Sequence, residues 1–523
     1  MGDHLARLAA AANDRVGAQS QLYFEGTWHP STELHARSVR VSAGLRALGV
    51  GPGDRVVVIM ANCPEVSLTY TAIWRAGAVV TPVIFLVSAA ELRHVVVDSS
   101  AAAIVTTAEL LPTVHRGTEG LSLPIVVVGP PEGSAGGSGV VDFATLEATG
   151  PAEIVERAGD DLAALLYTGG TTGRSKGVPL SHTNLARAGA ASRSVSYIGF
   201  DRGLLTLPLA HSFGILVTVG AMHATEPSVT VLMRWFDPTR WLELVQEHQL
   251  EVTAAVPSML AMLLAQPLEA YDLSSLQFVH CGAAPLSGAV VAEFERRVPS
   301  VTVVEGYGCT ETGGIISATP PRARRIGTVG QAVPGVALRI VGDDGQPVPP
   351  GEDGEVVVSG PNVMAGYWHE DAPEAVRDGW FATGDIGRLD ADGYLSIVDR
   401  KKDLIIRGGH NVYPRDVEDV LLTHPAVAGA AVVGRPDARL GEEIVAYVAL
   451  RATAGEVTVD DLAAWARERL SSLKYPREIR VLDAIPLTSV GKVDRKRLRA
   501  AVQLEATAHS TATTAAHSTA TTA

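Results

Sequence analysis

The eleven residues Tyr167 to Gly177, YTGGTTGRSKG, hold four glycines, three threonines and a lysine, and they follow the apolar run LAALL that starts at Leu162. A strand that runs into glycines and hydroxyls leaves backbone N–H groups uncovered, and with a lysine beside them such a loop can surround a polyphosphate. The usual nucleotide-loop spacing of Gly, four residues, Gly, Lys, then Ser or Thr is absent, because Ser175 precedes Lys176 and Gly177 follows it. Taken alone, the cluster is equally a polar surface turn.

Four more segments carry residue types suited to chemistry. EGYGCTETGG, Glu305 to Gly314, is a glycine-rich turn with one carboxylate, Glu311, between Thr310 and Thr312. Asp385 follows a Thr-Gly turn, where a carboxylate can accept two hydrogen bonds from a ribose diol or simply face water. His211 ends the apolar run LPLAH, a setting that also suits a satisfied core histidine. Lys492 sits in PLTSVGKVDRKRL near the C-terminus, where solvation alone would account for a lysine.

The elements that must position these groups are legible in the patterning. From about Leu34 to Val290, apolar β-type runs (RVVVIMA, AGAVVTPV, AAIVTT, PIVVVG) alternate with stretches of helical period such as ELHARSVRVSAGLRALG, which predicts α/β layers around parallel strands. Near Val329 the texture changes to short strands and turns, predicting an antiparallel β-subdomain. The charged stretch Asp399 to Asp403, DRKKD, precedes a last α/β stretch. The expected organisation is a large N-terminal domain over 1–400, a small mobile α+β C-terminal domain over 401–503, and a disordered tail over 504–523, where AHSTATTA occurs twice.

Bulk properties narrow the function classes. The 523 residues exceed a single core, and 46% hydrophobic with 19% charged residues is globular composition. A formal net charge of −14 argues against nucleic acid or anionic lipid as a partner. No apolar run approaches the roughly 18 residues of a membrane span, and integral membrane association is not expected. The three cysteines, Cys63, Cys281 and Cys309, form no CxxC pair, so neither a disulfide framework nor a thiolate metal site is indicated. The N-terminus shows no secretory pattern, and the expected location is cytoplasmic.

In this order and at these separations, from about Leu34 to Leu498, the five motifs resemble the adenylate-forming superfamily: acyl-CoA synthetases, aryl-CoA ligases, firefly-type luciferases and nonribosomal peptide synthetase adenylation domains. The run Gly379 to Pro414 looks closest to the acyl-CoA and aryl-CoA ligase branch. The resemblance implies that Thr168, Gly169, Gly170, Thr171, Thr172, Gly173 and Lys176 wrap the β- and γ-phosphates of ATP. It places Gly282, Ala283 and Ala284 along the adenine, with Tyr307 stacked on the ring and Thr310 at the α-phosphate. Glu311 is implied as the Mg²⁺ ligand, and a hard dication that keeps waters and phosphate oxygens needs no more than one protein carboxylate. Asp385 and Arg400 match the ribose pair, Lys492 the catalytic cation, and His211 a residue that orients the acyl carboxylate. Lys402 matches the hinge about which the C-terminal domain swings, and Arg407-Gly408-Gly409 the strand lining a phosphopantetheine tunnel, where Gly409 leaves room for the thiol of coenzyme A.

Three departures bear on the reading. Gly170 stands where the family usually has serine and Ser175 where it has proline, which loosens the loop but keeps its amides. Ser212 stands where relatives that activate amino acids place an aspartate, which argues against an α-amino acid substrate. The implied acyl pocket, His211, Phe213, Val256, Gly282, Gly306 and Gly308, is apolar and glycine-rich. The implied activity is therefore ATP- and Mg²⁺-dependent activation of a fatty or aryl carboxylic acid and transfer to coenzyme A. The alternatives are loading of a separate acyl-carrier protein, another fate for the adenylate, or a non-catalytic nucleotide-binding regulator.

Overall fold

The computed structural model describes residues 3–129, 139–168, 175–195, 200–320, 323–369, 375–437, 439–451, 455–488 and 493–503. The chain forms two compact units, the first made of residues 1–339, 357–383 and 391–395, the second of 340–356, 384–390 and 396–523.

The first unit contains two large sheets. In the seven-stranded sheet, strands Arg55–Ile59, Val79–Pro82, Ala103–Thr107, Ile125–Val128 and Val140–Asp142 run parallel. Val56, Val57, Val58 and Ile59 are all buried, the signature of a parallel strand covered by helices on both faces. Leu162–Thr168 joins the same sheet beside Val79–Pro82 and turns back antiparallel as Lys176–Ser181, with Thr168 opposite Lys176. The nine-stranded sheet has a parallel centre of Arg202–Leu205, Val252–Ala255, Phe278–Cys281 and Thr302–Tyr307. Its register aligns Val252, Phe278 and Thr302, so the carboxyl ends of these strands finish level. One face is anchored by a core that includes Trp241, Leu260, Val279, Cys281 and Phe294.

The strands and the helix expected from apolar periodicity are present: the helix Ser31–Ala47 carries ELHARSVRVSAGLRA, and each of the four β-type runs is a strand. After Val329, the short strands Ala337–Val341, Gly354–Ser359, Val376–Arg377, Trp380–Leu389 and Leu395–Arg400 form one sheet, with Val376–Arg377 antiparallel to Trp380 and Phe381. The α/β architecture with a β-subdomain matches the expectation.

The second unit includes a sheet in which Val427–Asp437 and Gly441–Leu450 pair antiparallel along ten positions, with Glu478–Leu482 added in parallel. Helices Pro414–Leu422 and Val459–Arg469 complete an α+β core around Val417, Leu421, Val432, Ile444 and Leu462.

An unforeseen contact within the first unit joins residues 4 and 5 to His182. His4 and His182 meet edge to face at 4.8 Å, and the Leu5 N–H donates to His182 Nδ1 at 3.3 Å. Burial, followed by the neighbouring His4 and Arg157, lowers the His182 imidazole to about 3. A depressed histidine favours its neutral form in the folded state, so its stabilisation is full above the ordinary value near 6.5 and is lost as pH falls from there towards 3. Acidification from pH 7.5 to 5 is expected to remove about 2 kcal/mol through this group, and His182→Gln should flatten the fall in denaturant-measured stability. An unchanged pH slope in the variant would show that the ring is protonated without penalty.

Candidate active site

The carboxyl ends of parallel strands are where an open α/β sheet holds ligands. Four of the sequence-predicted groups follow such ends in the nine-stranded sheet. His211 comes after Arg202–Leu205, Gly282-Ala283-Ala284 directly after Phe278–Cys281, and Tyr307 closes Thr302–Tyr307, ahead of the short turn Thr310–Thr312 that carries Glu311. The fold therefore brings His211, Gly282, Tyr307, Thr310 and Glu311 to one sheet edge, although they span a hundred residues of sequence.

Local geometry is distinctive at Gly282, Ala283 and His211. A Cβ on Gly282 would lie 2.9 Å from the Gly306 carbonyl oxygen, so only glycine lets the two strand ends approach this closely. Ala283 follows in the left-handed region at φ 68°, a strained conformation of the kind that clusters at ligand sites. His211 caps the helix Ser212–Ala221, its Nδ1 accepting from the Phe213 N–H at 3.3 Å. That acceptor role leaves the ring proton on Nε2, the arrangement needed to donate to a carboxylate. Beside it, Leu207, Ala254 and Val256 pack with Phe213 and Met259 in an apolar cluster. Val256 and Phe213 are two of the residues implied for the acyl pocket, and Leu207, Ala254 and Met259 pack with them in this cluster.

Thr168 and Lys176 are the paired ends of the Leu162–Thr168/Lys176–Ser181 hairpin, and Gly169 to Gly173 lie outside the described residues. The hairpin is held from two sides. His94 Nε2 donates to the Ser175 carbonyl at 2.9 Å, and the Tyr167 hydroxyl donates to Asp98 Oδ2 at 2.6 Å, both partners on the helix Ala89–Asp98. From the other side the Trp368 N–H donates to the Gly177 carbonyl at 2.9 Å, and the Trp368 indole N–H to the Asp98 carbonyl at 3.3 Å.

The segment Asn362 to Trp368 also holds the Glu311 turn. Asn362 Nδ2 donates to the carbonyls of Thr312 and Ile315, each at 2.9 Å, and the Met364 N–H donates to the Glu311 carbonyl at 2.8 Å. The Tyr367 hydroxyl donates to Glu311 Oε1 at 2.9 Å, while Lys176 Nζ lies 5.0 Å from the centre of the same ring. One short stretch thus ties the lysine of the phosphate hairpin to the carboxylate implied as a metal ligand. Sequence reasoning passed over it, and its only signal was the aromatic pair in AGYW.

Among the described residues no group of three or more histidine, cysteine or acidic side chains could form a metal cage. A lone carboxylate fits a magnesium ion that takes most of its ligands from phosphates and water, and Glu311 is such a group.

In the second unit, Arg400 Nε donates to Asp385 Oδ1 at 2.7 Å; Asp385 is buried and Arg400 is partly exposed, so the two residues matched to the ribose pair are in direct contact. Gly408 and Gly409, at φ 59° and 81°, form a two-residue hairpin turn between Ile405–Arg407 and His410–Val412, with Arg407 opposite His410. A Cβ on Gly409 would meet nothing within 4 Å. The Lys402 carbonyl accepts from Arg499 at 3.4 Å, and Arg499 pairs with Asp403 at 2.8 Å. Lys492 lies outside the described residues.

The chain is a member of the AMP-binding enzyme family, which it matches over residues 8–368, and residues 416–492 match the AMP-binding enzyme C-terminal domain. It is 36% identical over 480 residues to a feruloyl-CoA synthase of an Amycolatopsis species, covering 91% of this chain and 94% of that protein. It is 35% identical to an indoleacetate–CoA ligase of Aromatoleum aromaticum, covering 88% of this chain and 90% of the relative. The fold superposes on ATP-bound MatB from Rhodopseudomonas palustris with a TM-score of 0.85 at 31% identity, covering 95% and 98% of the two chains.

The buried Asn362 amide satisfies two carbonyls that would otherwise be left without it. Asn362→Ala is expected to cost about 1–3 kcal/mol of unfolding free energy and to weaken ATP binding. Calorimetric unfolding together with nucleotide titration checks both; unchanged ATP affinity would show that the Glu311 turn holds its place without this residue.

Proposed function

We propose that this protein is an acid–thiol ligase that activates a carboxylic acid with ATP and Mg²⁺ and passes the acyl group to coenzyme A. The observation that carries the proposal is the single sheet edge presenting His211, Gly282, Tyr307 and Glu311, with the lysine-bearing phosphate hairpin tied to Glu311 through Tyr367. In the first half-reaction a carboxylate oxygen of the acid attacks the α-phosphorus, and pyrophosphate leaves. In the second, the thiol sulfur attacks the acyl carbon, and AMP leaves with the oxygen that came from the acid.

The proposed roles follow from charge and donor geometry. His211 Nε2–H orients the carboxylate, and Lys176 with the loop amides binds the β- and γ-phosphates. The adenine lies along Gly282 to Ala284 against Tyr307, Thr310 contacts the α-phosphate, and Asp385 with Arg400 holds the ribose. Magnesium, held by Glu311, would neutralise charge on the phosphates. Lys492 supplies the cation for the charge that grows on the α-phosphate, and the C-terminal domain, from residue 401 by this reading, turns about Lys402 between the two half-reactions. Gly409 then admits the pantetheine arm.

The acid has an aryl or fatty body. The cluster of Leu207, Phe213, Ala254, Val256 and Met259 is apolar, and feruloyl and indoleacetate relatives act on aromatic acids. An apolar pocket separates homologues by only about 1–3 kcal/mol per methylene, so a series of related acids rather than one is the expected substrate set. Cys63, Cys281 and Cys309 form no disulfide, which suits a reducing, cytoplasmic setting.

Two variants separate the half-reactions. Lys492→Ala is expected to lower acid-dependent pyrophosphate release by about 10²-fold or more while sparing thiolysis of a supplied acyl-adenylate. Equal loss of both halves would contradict the role given to Lys492. Gly409→Leu should leave pyrophosphate release in place and block thioester formation, and undiminished acyl-CoA production would remove Gly409 from the thiol path.

A further inference from the structure

Tyr367 has no part in the motifs that define the site, yet its side chain reaches both of the site's charged ends. Its hydroxyl donates to Glu311 Oε1 at 2.9 Å, and its ring lies under Lys176 Nζ at 5.0 Å. The backbone around it is fixed at three points: Met364 N–H on the Glu311 carbonyl, Trp368 N–H on the Gly177 carbonyl, and Asn362 on the carbonyls of Thr312 and Ile315. The packing beside it is close, since a Cβ on Gly177 would come within 2.8 Å of Trp368 Cβ.

A site that holds a polyphosphate and its cation must keep a lysine for the anion and a carboxylate for the metal within a short distance of each other. Their mutual attraction works against both tasks. An aromatic ring with a hydroxyl at one end answers this: the ring face attracts the ammonium, and the hydroxyl engages one carboxylate oxygen. A carboxylate with Oε1 so engaged has its rotation fixed, with Oε2 left to meet a cation.

We propose that Tyr367 is a positioning residue that sets Glu311 for the divalent cation through its hydroxyl and Lys176 for the polyphosphate through its ring, so that the two affinities can be altered separately. This rests on the reading of Glu311 as the cation's ligand.

The test is calorimetric titration of the full-length chain with ATP, without magnesium and at a series of free magnesium concentrations. Tyr367→Phe keeps the ring and removes the hydroxyl. It is expected to raise the half-saturating magnesium concentration for ATP binding by about tenfold, leaving magnesium-free ATP affinity within about twofold. Tyr367→Leu removes the ring as well and should in addition weaken magnesium-free ATP binding by about threefold. In a Glu311→Gln background, Tyr367→Phe should produce no further change in magnesium dependence.

A Tyr367→Phe variant with unaltered magnesium dependence, beside a Glu311→Gln variant that has lost it, would overturn the proposal while leaving Glu311 as the ligand. Unaltered magnesium dependence in Glu311→Gln itself would overturn both. Equal weakening of magnesium-free and magnesium-dependent binding in Tyr367→Phe, together with a lowered melting temperature, would reduce Tyr367 to a packing role and also overturn it.

Discussion

Two loops from two different sheets are joined around one set of charges. The phosphate hairpin grows from the seven-stranded sheet and the Glu311 turn from the edge of the nine-stranded one. The return strand Lys176–Ser181 and the helix His182–Val195 after it pack directly on the Glu311 turn, with Gly313 lying against Ala188. Residues Asn362 to Trp368 add hydrogen bonds from backbone and side chain to both loops. Fixed donors cost no reorganisation when charge develops on a substrate.

Around that brace the division of labour follows from the architecture. Aligned parallel strands bring backbone groups at Gly282 and side chains at His211 and Glu311 to one level, and the loops beyond them carry the chemistry. Leu207, Phe213, Ala254, Val256 and Met259 form an apolar cluster, whose non-directional contacts would set the size of a substrate body lying against it rather than its identity. In the second unit, Asp385 and Arg400 satisfy one another, so a ribose diol at Asp385 would share a carboxylate that a guanidinium already orients.

Much of this was legible in the sequence because the signals are local. Valine runs such as RVVVI announce buried parallel strands, and YTGGTTGRSKG announces a donor-rich loop between a strand and its return. The motif order identified the family, and with it the implied roles of Glu311, Asp385, Arg400 and Lys492. What stayed hidden depends on contacts distant in sequence. Tyr367 and Glu311 lie 56 residues apart, and Leu5 and His182 lie 177 apart, so no periodicity or spacing links them. Leu207 and Met259 read as ordinary core residues until tertiary packing sets them in one cluster with Phe213, two residues from His211. The His4–His182 pair has no local pattern at all, because its lowered basicity arises from burial produced by tertiary packing.

The most direct measurement of the central claim follows the oxygen atoms of the acid. An aromatic or fatty acid carrying ¹⁸O in its carboxyl group, turned over with ATP and coenzyme A, should yield AMP bearing one ¹⁸O in its phosphate, together with pyrophosphate free of label, as read by mass spectrometry. That pattern requires attack of the carboxylate on the α-phosphorus. Label appearing in inorganic phosphate, with ADP as the nucleotide product, would mean attack on the γ-phosphorus and would contradict the account.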